Sequence, residues 1–240
     1  MKAFFTRALL MSALVAVLCP AAHAGVVING TRVVYPEQAR EVTVQLQNTG
    51  EAPSLVQVWV DSGDARQTPD TSDAPFVLLP PIARIEAGRS QAVRLMFSGA
   101  QLPETQESLF WLNVLDVPPS PEPSAEEQNF LQVAFRSRVK LFYRPRALQG
   151  EANEAPAALL WRLDGNRLRV ENPTPYHVSF SEIHVGTGTS ESEIKEKSVM
   201  LAPGKSQEFP ASAGVTQVRF STINDYGGRV ERTAVVGNGN

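Results

Sequence analysis

The sequence is nearly free of cysteine and histidine. It contains one cysteine, Cys19, and three histidines among its 240 residues. A single thiol cannot form an internal disulfide, so stability must come from the packing of a core. His177 and His184 are seven positions apart, which puts them on opposite faces of a strand and argues against a shared metal site. Since metal-spaced clusters, Gly-x-Ser-x-Gly motifs and phosphate-binding loops are also missing, we predict no enzymatic activity, no metal and no cofactor.

Long hydrophobic runs are missing as well. The apolar stretch at 8–18 is well short of the roughly 20 residues that span a bilayer, and no other segment is long and apolar enough to do so. This stretch follows Lys2 and Arg7 and precedes a small-residue sequence, which is the pattern of a secretory signal with its cleavage site. We therefore predict a signal peptide over residues 1–24, a mature chain that begins at Gly25, and no insertion into a membrane.

Basic residues are in the minority. The chain has 22 Lys and Arg against 25 Asp and Glu, a formal net charge of −3. Removal of residues 1–24 takes away Lys2 and Arg7, which leaves 216 residues with a net charge of −5. Overall charge therefore does not attract nucleic acid, and we predict no such partner. The mature length suits two domains of about 100 residues each.

Short segments of alternating apolar residues recur along the chain, separated by turns rich in Gly, Pro and Asn, while helical periodicity is hard to find. This pattern is typical of half-buried strands in an antiparallel sandwich. It also contains Trp59 and Trp111, which we expect in core-type positions. The predicted strands lie at 41–47, 55–61, 91–97, 108–114 and 130–143, and then at 167–171, 177–185, 199–201, 217–222 and 229–236.

Two segments interrupt this series of strands. Residues 118–123 include four prolines, which cannot donate ladder hydrogen bonds, so we predict a loop over 118–129. Pro145 ends the long strand, and we predict a hinge between domains at 149–156. The sequence therefore predicts an all-β chain of two immunoglobulin-like β-sandwich domains. The predicted bounds are 25–147 for the N-terminal domain and 148–240 for the C-terminal domain.

The predicted strand at 130–143 is long and carries an apolar face. Leu131, Val133 and Phe135 share one side of its first half. Either these side chains line the core of the first sandwich, or they lie at an edge and are offered to a partner. Alternation alone does not distinguish the two interpretations.

Several motifs bear on this choice. The segments at 140–145 (KLFYRP), 171–176 (ENPTPY) and 223–229 (INDYGGR) resemble signature segments of the periplasmic pilus chaperones of chaperone-usher systems. Residues 107–111 and 31–32 also match that family, so the resemblance covers essentially the whole mature chain. It implies an L-shaped pair of immunoglobulin-like domains located in the periplasm. A pilus subunit would bind in the cleft between the domains and along the last strand of the first.

The resemblance also implies roles for three groups of residues. These are the donor-strand anchors Leu131, Val133 and Phe135, the cations Arg32 and Lys140 that anchor the subunit's C-terminal carboxylate, and the interdomain salt-bridge set Glu107, Arg144 and Asp225. The anchors would complete a subunit fold that lacks its final strand, a recognised mode of strand addition. The implied partners are pilus or fimbrial subunits, bound one to one, and an outer-membrane usher that receives them.

A pilus subunit or adhesin is the alternative interpretation, because it shares the immunoglobulin pattern and the compartment. Subunits carry a free N-terminal donor extension ahead of an incomplete domain, whereas this chain supplies strands for two complete domains. The apolar anchors also motivate the hypothesis that the free chaperone caps its edge by forming a homodimer.

Overall fold

The computed structural model describes residues 25–120, 131–187, 190–196 and 199–238. The predicted signal peptide at 1–24 and the greater part of the predicted 118–129 loop lie outside the described residues. No helix within the described ranges combines the length and apolar character that a membrane crossing requires.

The first half of the chain forms two sheets. Its strands are β1 (Val26–Ile28), β2 (Arg32–Pro36), β3 (Val42–Asn48), β4 (Ser54–Asp61), β5 (Phe76–Leu79), β6 (Ile82–Ile85), β7 (Ser90–Phe97), β8 (Ser108–Val117) and β9 (Phe135–Arg144). One sheet has the order β1-β3-β7-β5 and the other the order β2-β9-β8-β4-β6. Strand β2 runs parallel to β9, and the other pairs in these sheets are antiparallel.

The core of this half lies between its two sheets. Leu46 and Leu95 of the first sheet join Val56, Leu112 and Leu141 of the second in one buried cluster. Strand β3 buries alternate residues, because successive side chains of a strand point to opposite faces, whereas β4 and β8 also bury residues on their outer face. The sheets therefore form a β-sandwich.

The second half repeats this architecture. It contains a 3-10 helix (Ala155–Ala158) and the strands β10 (Leu160–Asp164), β11 (Arg167–Glu171), β12 (Val178–Thr187), β13 (Ser190–Glu193), β14 (Met200–Leu201), β15 (Ser206–Pro210), β16 (Gln217–Ile223), β17 (Arg229–Val235) and β18 (Gly237–Asn238). The sheets have the orders β15-β11-β10-β18 and β13-β12-β16-β17, and β14 pairs with β12. Trp161 lies in the core of this sandwich, where its ring contacts Phe180 and Phe220.

The predicted all-β fold of two sandwiches is confirmed, but the start of the long strand is wrong. Strand β9 begins at Phe135, and residues 131–134 form no ladder. The reason lies in the neighbouring strand, since Phe135 pairs with Asp116 and β8 ends at Val117. The two prolines that follow have no N–H to continue the ladder.

Trp59 is buried as expected, at 7% exposure, whereas Trp111 is only partly buried, and neither belongs to the core cluster between the sheets. Their neighbours along the strand, such as Val58 and Leu112, belong to the core cluster, so both indoles face the outside of the sheet. There the guanidinium groups of Arg136 and Arg138 cover them. Alternation marks one buried face, but it does not show when the other face is covered by arginine.

Candidate functional site

The apolar face of β9 continues past the end of the sandwich. Leu141 and Tyr143 belong to the core. On the same face of β9, Phe135 is 64% exposed, and Val133 and Leu131, which precede the strand, are 43% and 87% exposed. The row of apolar side chains therefore passes from the interior into solvent. In the structure these three side chains lie outside the core of the first sandwich, which agrees with the second of the two interpretations of this segment.

The exposed half of β9 also has a free edge. Residues 140–143 lie between β8 and β2, whereas 135–139 pair only with β8 in the part of the chain that the structure describes. An apolar groove lies beside this free edge and is lined by Val27 and Ile28 of β1 together with Phe135 and Val139. Unpaired N–H and C=O groups next to exposed apolar side chains form a template for another strand. The segment has the properties of a strand-binding surface.

Two cations lie at the other end of this edge. The parallel register of β2 and β9 puts Arg32 opposite Lys140. Lys140 Nζ donates a hydrogen bond to Ser179 Oγ at 2.8 Å, and Arg32 NH1 donates one to Ile223 O, also at 2.8 Å. Both acceptors belong to the second sandwich. The pair therefore lies in the cleft between the two halves of the chain, where both residues line one cavity.

The electrostatics of this pair favour an anion. Among the residues that the structure describes, neither Arg32 nor Lys140 forms an ion pair, and the Arg32 Nε is buried without a hydrogen-bond partner. Desolvation and then the charge of Arg32 lower the pKa of Lys140 to about 8. Desolvation also lowers the pKa of Arg32. A carboxylate can relieve these costs, because a guanidinium and an ammonium both bind it through charge-assisted hydrogen bonds.

The third predicted group, Glu107, Arg144 and Asp225, is also assembled. Arg144 Nε donates to Glu107 Oε1 at 2.8 Å, and its two terminal nitrogens donate to the Asp225 carboxylate at 2.7 and 3.0 Å. Desolvation acts to lower the pKa of Arg144, but the bonds and charges of Asp225 and Glu107 outweigh it and raise that pKa. Glu107 also accepts the backbone N–H of His177 at 2.8 Å. The three residues join the first sandwich to the second.

A glycine allows the second sandwich to approach this cleft closely. Gly227 lies in the turn between β16 and β17 at a φ of +83°, a value that L side chains rarely adopt. A Cβ at this position would lie 2.6 Å from the Thr31 Oγ1 of the first sandwich. The Gly-Gly pair in the predicted motif marked this turn, but its contact with Thr31 was not predictable because the two are distant in sequence.

Two family models match the chain. One, described as pili and flagellar-assembly chaperone, PapD N-terminal domain, matches residues 25–149, and the other, pili assembly chaperone PapD, C-terminal domain, matches 154–234. The probable fimbrial chaperone YadV of Escherichia coli (strain K12) is 43% identical over 222 residues, which cover 88% of this chain and 89% of that protein.

Solved structures are similar over the same span. The CupB2 chaperone of Pseudomonas aeruginosa superposes with a TM-score of 0.77 at 36% identity, over 88% of this chain and 100% of that one. A chain from the structure of the Salmonella enterica SafA pilin in complex with the SafB chaperone gives a TM-score of 0.75 at 28% identity, over 88% of this chain and 96% of that one.

Proposed function

This chain belongs to the periplasmic pilus chaperone family, and from that premise we propose that it binds pilus subunits by lending them residues 131–139 as a β-strand. That it is a chaperone for pilus subunits, and not itself a subunit, follows from the family. The strand, its anchors and its register are our proposal. The observation that carries it is the exposed apolar row of Leu131, Val133 and Phe135 beside the free edge at 135–139.

The three anchors supply most of the binding energy. Each contributes roughly 1.5 to 3 kcal/mol on burial, so together they provide about 5 to 9 kcal/mol before ordering costs are subtracted. Residues 131–134 form no ladder in the free chain, and they order against the subunit on binding. Main-chain hydrogen bonds along the free edge add affinity without reading sequence, which allows several related subunits to bind.

Arg32 and Lys140 anchor the subunit's C-terminal carboxylate. Fixing one end of the bound strand sets the register in which its side chains meet the anchors, and a slip of one residue would turn every side chain to the other face. The cleft supports this role, because Arg32 and Lys140 lie side by side and their charges are only partly compensated by hydrogen bonds.

Glu107, Arg144 and Asp225 hold the angle of the cleft. The Glu107 side chain is 2% exposed, and those of Arg144 and Asp225 are 21% and 23% exposed. Breaking a buried ion pair is costly, because an unpaired charge remains in the interior. The set therefore stabilises the junction as well as orienting it. We place the domain boundary shortly after Arg144, with domains at 25–147 and 148–240.

The predicted signal at residues 1–24 would direct the protein to the periplasm. There it would hold subunits one to one and pass them to an outer-membrane usher. The structure of the SafA pilin with the SafB chaperone supports a pilin as the partner, since SafB is a chaperone with a pilin bound. We assign no catalytic step and no cofactor to the protein.

Co-expression with candidate subunits tests this function. We expect a one-to-one periplasmic complex with the unchanged chaperone and none with Lys140→Ala, which leaves the chaperone folded. Lys205→Ala is the matched control, because Lys205 is exposed and lies in a turn of the second sandwich. Undiminished binding by Lys140→Ala would refute the carboxylate anchor. The homodimer of the free chaperone stays a prediction, which size measurements over a wide concentration range would decide.

A further inference from the structure

The polar face of β9 is fastened to its sheet by a buried carboxylate. Asp61, at the end of β4, is 0% exposed and accepts hydrogen bonds from Arg138 Nε at 2.9 Å and from Arg138 NH2 at 2.5 Å. It also accepts from Asn113 Nδ2 at 2.7 Å and from the backbone N–H of Gly63 at 2.8 Å. One side chain of β4 thus reaches across β8 to β9.

Asn113 extends this contact to a second arginine. It is 0% exposed, and its Oδ1 accepts from Arg136 Nε at 2.9 Å and from Arg136 NH2 at 2.7 Å. The two arginines cover the outward indoles, with Arg136 4.7 Å from the Trp59 ring centre and Arg138 4.1 Å from that of Trp111. Every member of this network has partners, which is the condition under which buried polar groups specify one arrangement.

The network lies on one face of β9, and the apolar groove lies on the opposite face. Arg136 and Arg138 alternate with Phe135, Ser137 and Val139, so the network contacts the face of β9 opposite the apolar groove. Within the described ranges of the chain, β8 is the single strand that pairs with this half of β9. An edge strand held on one side is prone to fraying and slippage, and a slip of one residue would bring the arginines into the groove.

We propose that Asp61 is a positioning residue for the donor strand. Through Arg138, and through Asn113 to Arg136, it holds residues 135–139 in one register with their apolar face presented before the subunit arrives. A strand that is already ordered does not lose that conformational entropy on binding, so it binds more tightly. This inference rests on the proposed function of the strand. Hydrogen bonds from Arg138 and Asn113 outweigh desolvation and lower the pKa of Asp61, which keeps the carboxylate charged.

Asp61→Asn tests the inference, because it removes the charge and keeps the shape. In the free chaperone we expect amide hydrogen exchange at 135–139 to become about tenfold faster. The loss of one charge-assisted hydrogen bond raises the equilibrium constant for local opening by about this factor, and the exchange rate follows that constant. We expect a purified subunit complex to dissociate faster by a similar factor. Asp164→Asn is the control, because Asp164 is exposed at the end of β10 in the second sandwich, and it should change neither rate.

A rescue variant separates positioning from bulk stability. Asp61→Asn combined with Asn113→Asp returns a carboxylate to the network beside Arg136, and we expect it to restore both rates substantially. If Asp61→Asn fails to fold, Arg138→Lys takes its place, since an ammonium cannot form the two parallel bonds of a guanidinium. Unchanged exchange at 135–139 and unchanged dissociation would overturn the inference, even if the free energy of unfolding fell. Failure of the unchanged chaperone to bind any subunit would overturn the proposed function, and exchange in the free protein would still decide the role of Asp61.

Discussion

Raising the pH should weaken the carboxylate anchor through Lys140. Desolvation and the charge of Arg32 lower the pKa of this ammonium to about 8. In the free chaperone about nine tenths of Lys140 is protonated at pH 7 and about one tenth at pH 9. Because the bound carboxylate requires the protonated form, affinity should fall about tenfold between these pH values. The Lys140→Met variant should bind weakly at both.

The lowered pKa of Lys140 also determines how its contribution to the free energy of unfolding changes with pH. The folded value of about 8 lies below the ordinary 10.5, so the unfolded chain binds more protons between these two pH values. The cost of burying the charge is present in full below pH 8 and disappears as the pH rises through this window. We therefore expect the Lys140 contribution to the free energy of unfolding to increase with pH. At pH 7, Lys140→Met should be more stable than the unchanged protein by about 1 to 2 kcal/mol.

Calorimetric titration with a peptide from the C-terminal strand of a subunit measures the binding effect, and urea unfolding measures the stability effect. The same peptide with an amidated C-terminus is the matched control, since it cannot engage the cations and should show little dependence on pH. Equal affinities at pH 7 and pH 9, or the same decrease for the amidated peptide, would refute the role assigned to Lys140.

Two further predictions concern the junction and the anchors. Arg144→Met should lower the free energy of unfolding by about 3 kcal/mol, because it removes the arginine partner of the buried Glu107 and of Asp225, and urea unfolding would detect this. A loss below about 1 kcal/mol would show that the set has little energetic role. Val133→Ser should speed dissociation of a subunit complex about tenfold, whereas Val77→Ser should not, although the two valines are 43% and 46% exposed. Equal effects of the two substitutions would argue against a specific anchor at 133.

The alternating strands were largely predictable because burial on one face leaves a period of two in the sequence. Residues 42–48 show this. Residues 54–61 also lie where alternation placed a strand, and Val56, Val58 and Val60 belong to the core, although the end of this strand is buried on both faces. The exposure of Phe135 was not predictable from alternation, since an anchor and a core residue have the same pattern. It depends on where β2 stops pairing with β9, which is a property of the assembled sheet.

The candidate site residues were predictable mainly from the family motifs, and less from the chemistry of the individual side chains. The motifs placed Lys140 and Arg144, but the proximity of Arg32 to Lys140 depends on a parallel pairing between residues far apart in sequence. Asp61 was missed because it ends an apolar strand and resembles a turn residue. A signal for it was present, since Trp59 precedes Asp61 and Trp111 precedes Asn113 at the same spacing in strands that pair. Matching polar pairs on neighbouring strands indicate a network on the outer face.

The proposed function requires a subunit strand to pair with the free edge of residues 135–139. Nuclear Overhauser contacts in an isotope-labelled one-to-one complex measure this pairing directly. We expect cross-strand contacts from the backbone amides of this segment to a strand of the subunit, together with contacts from the Leu131 and Val133 methyl groups to its core. A complex in which these amides and methyl groups keep the chemical shifts of the free chaperone would contradict it.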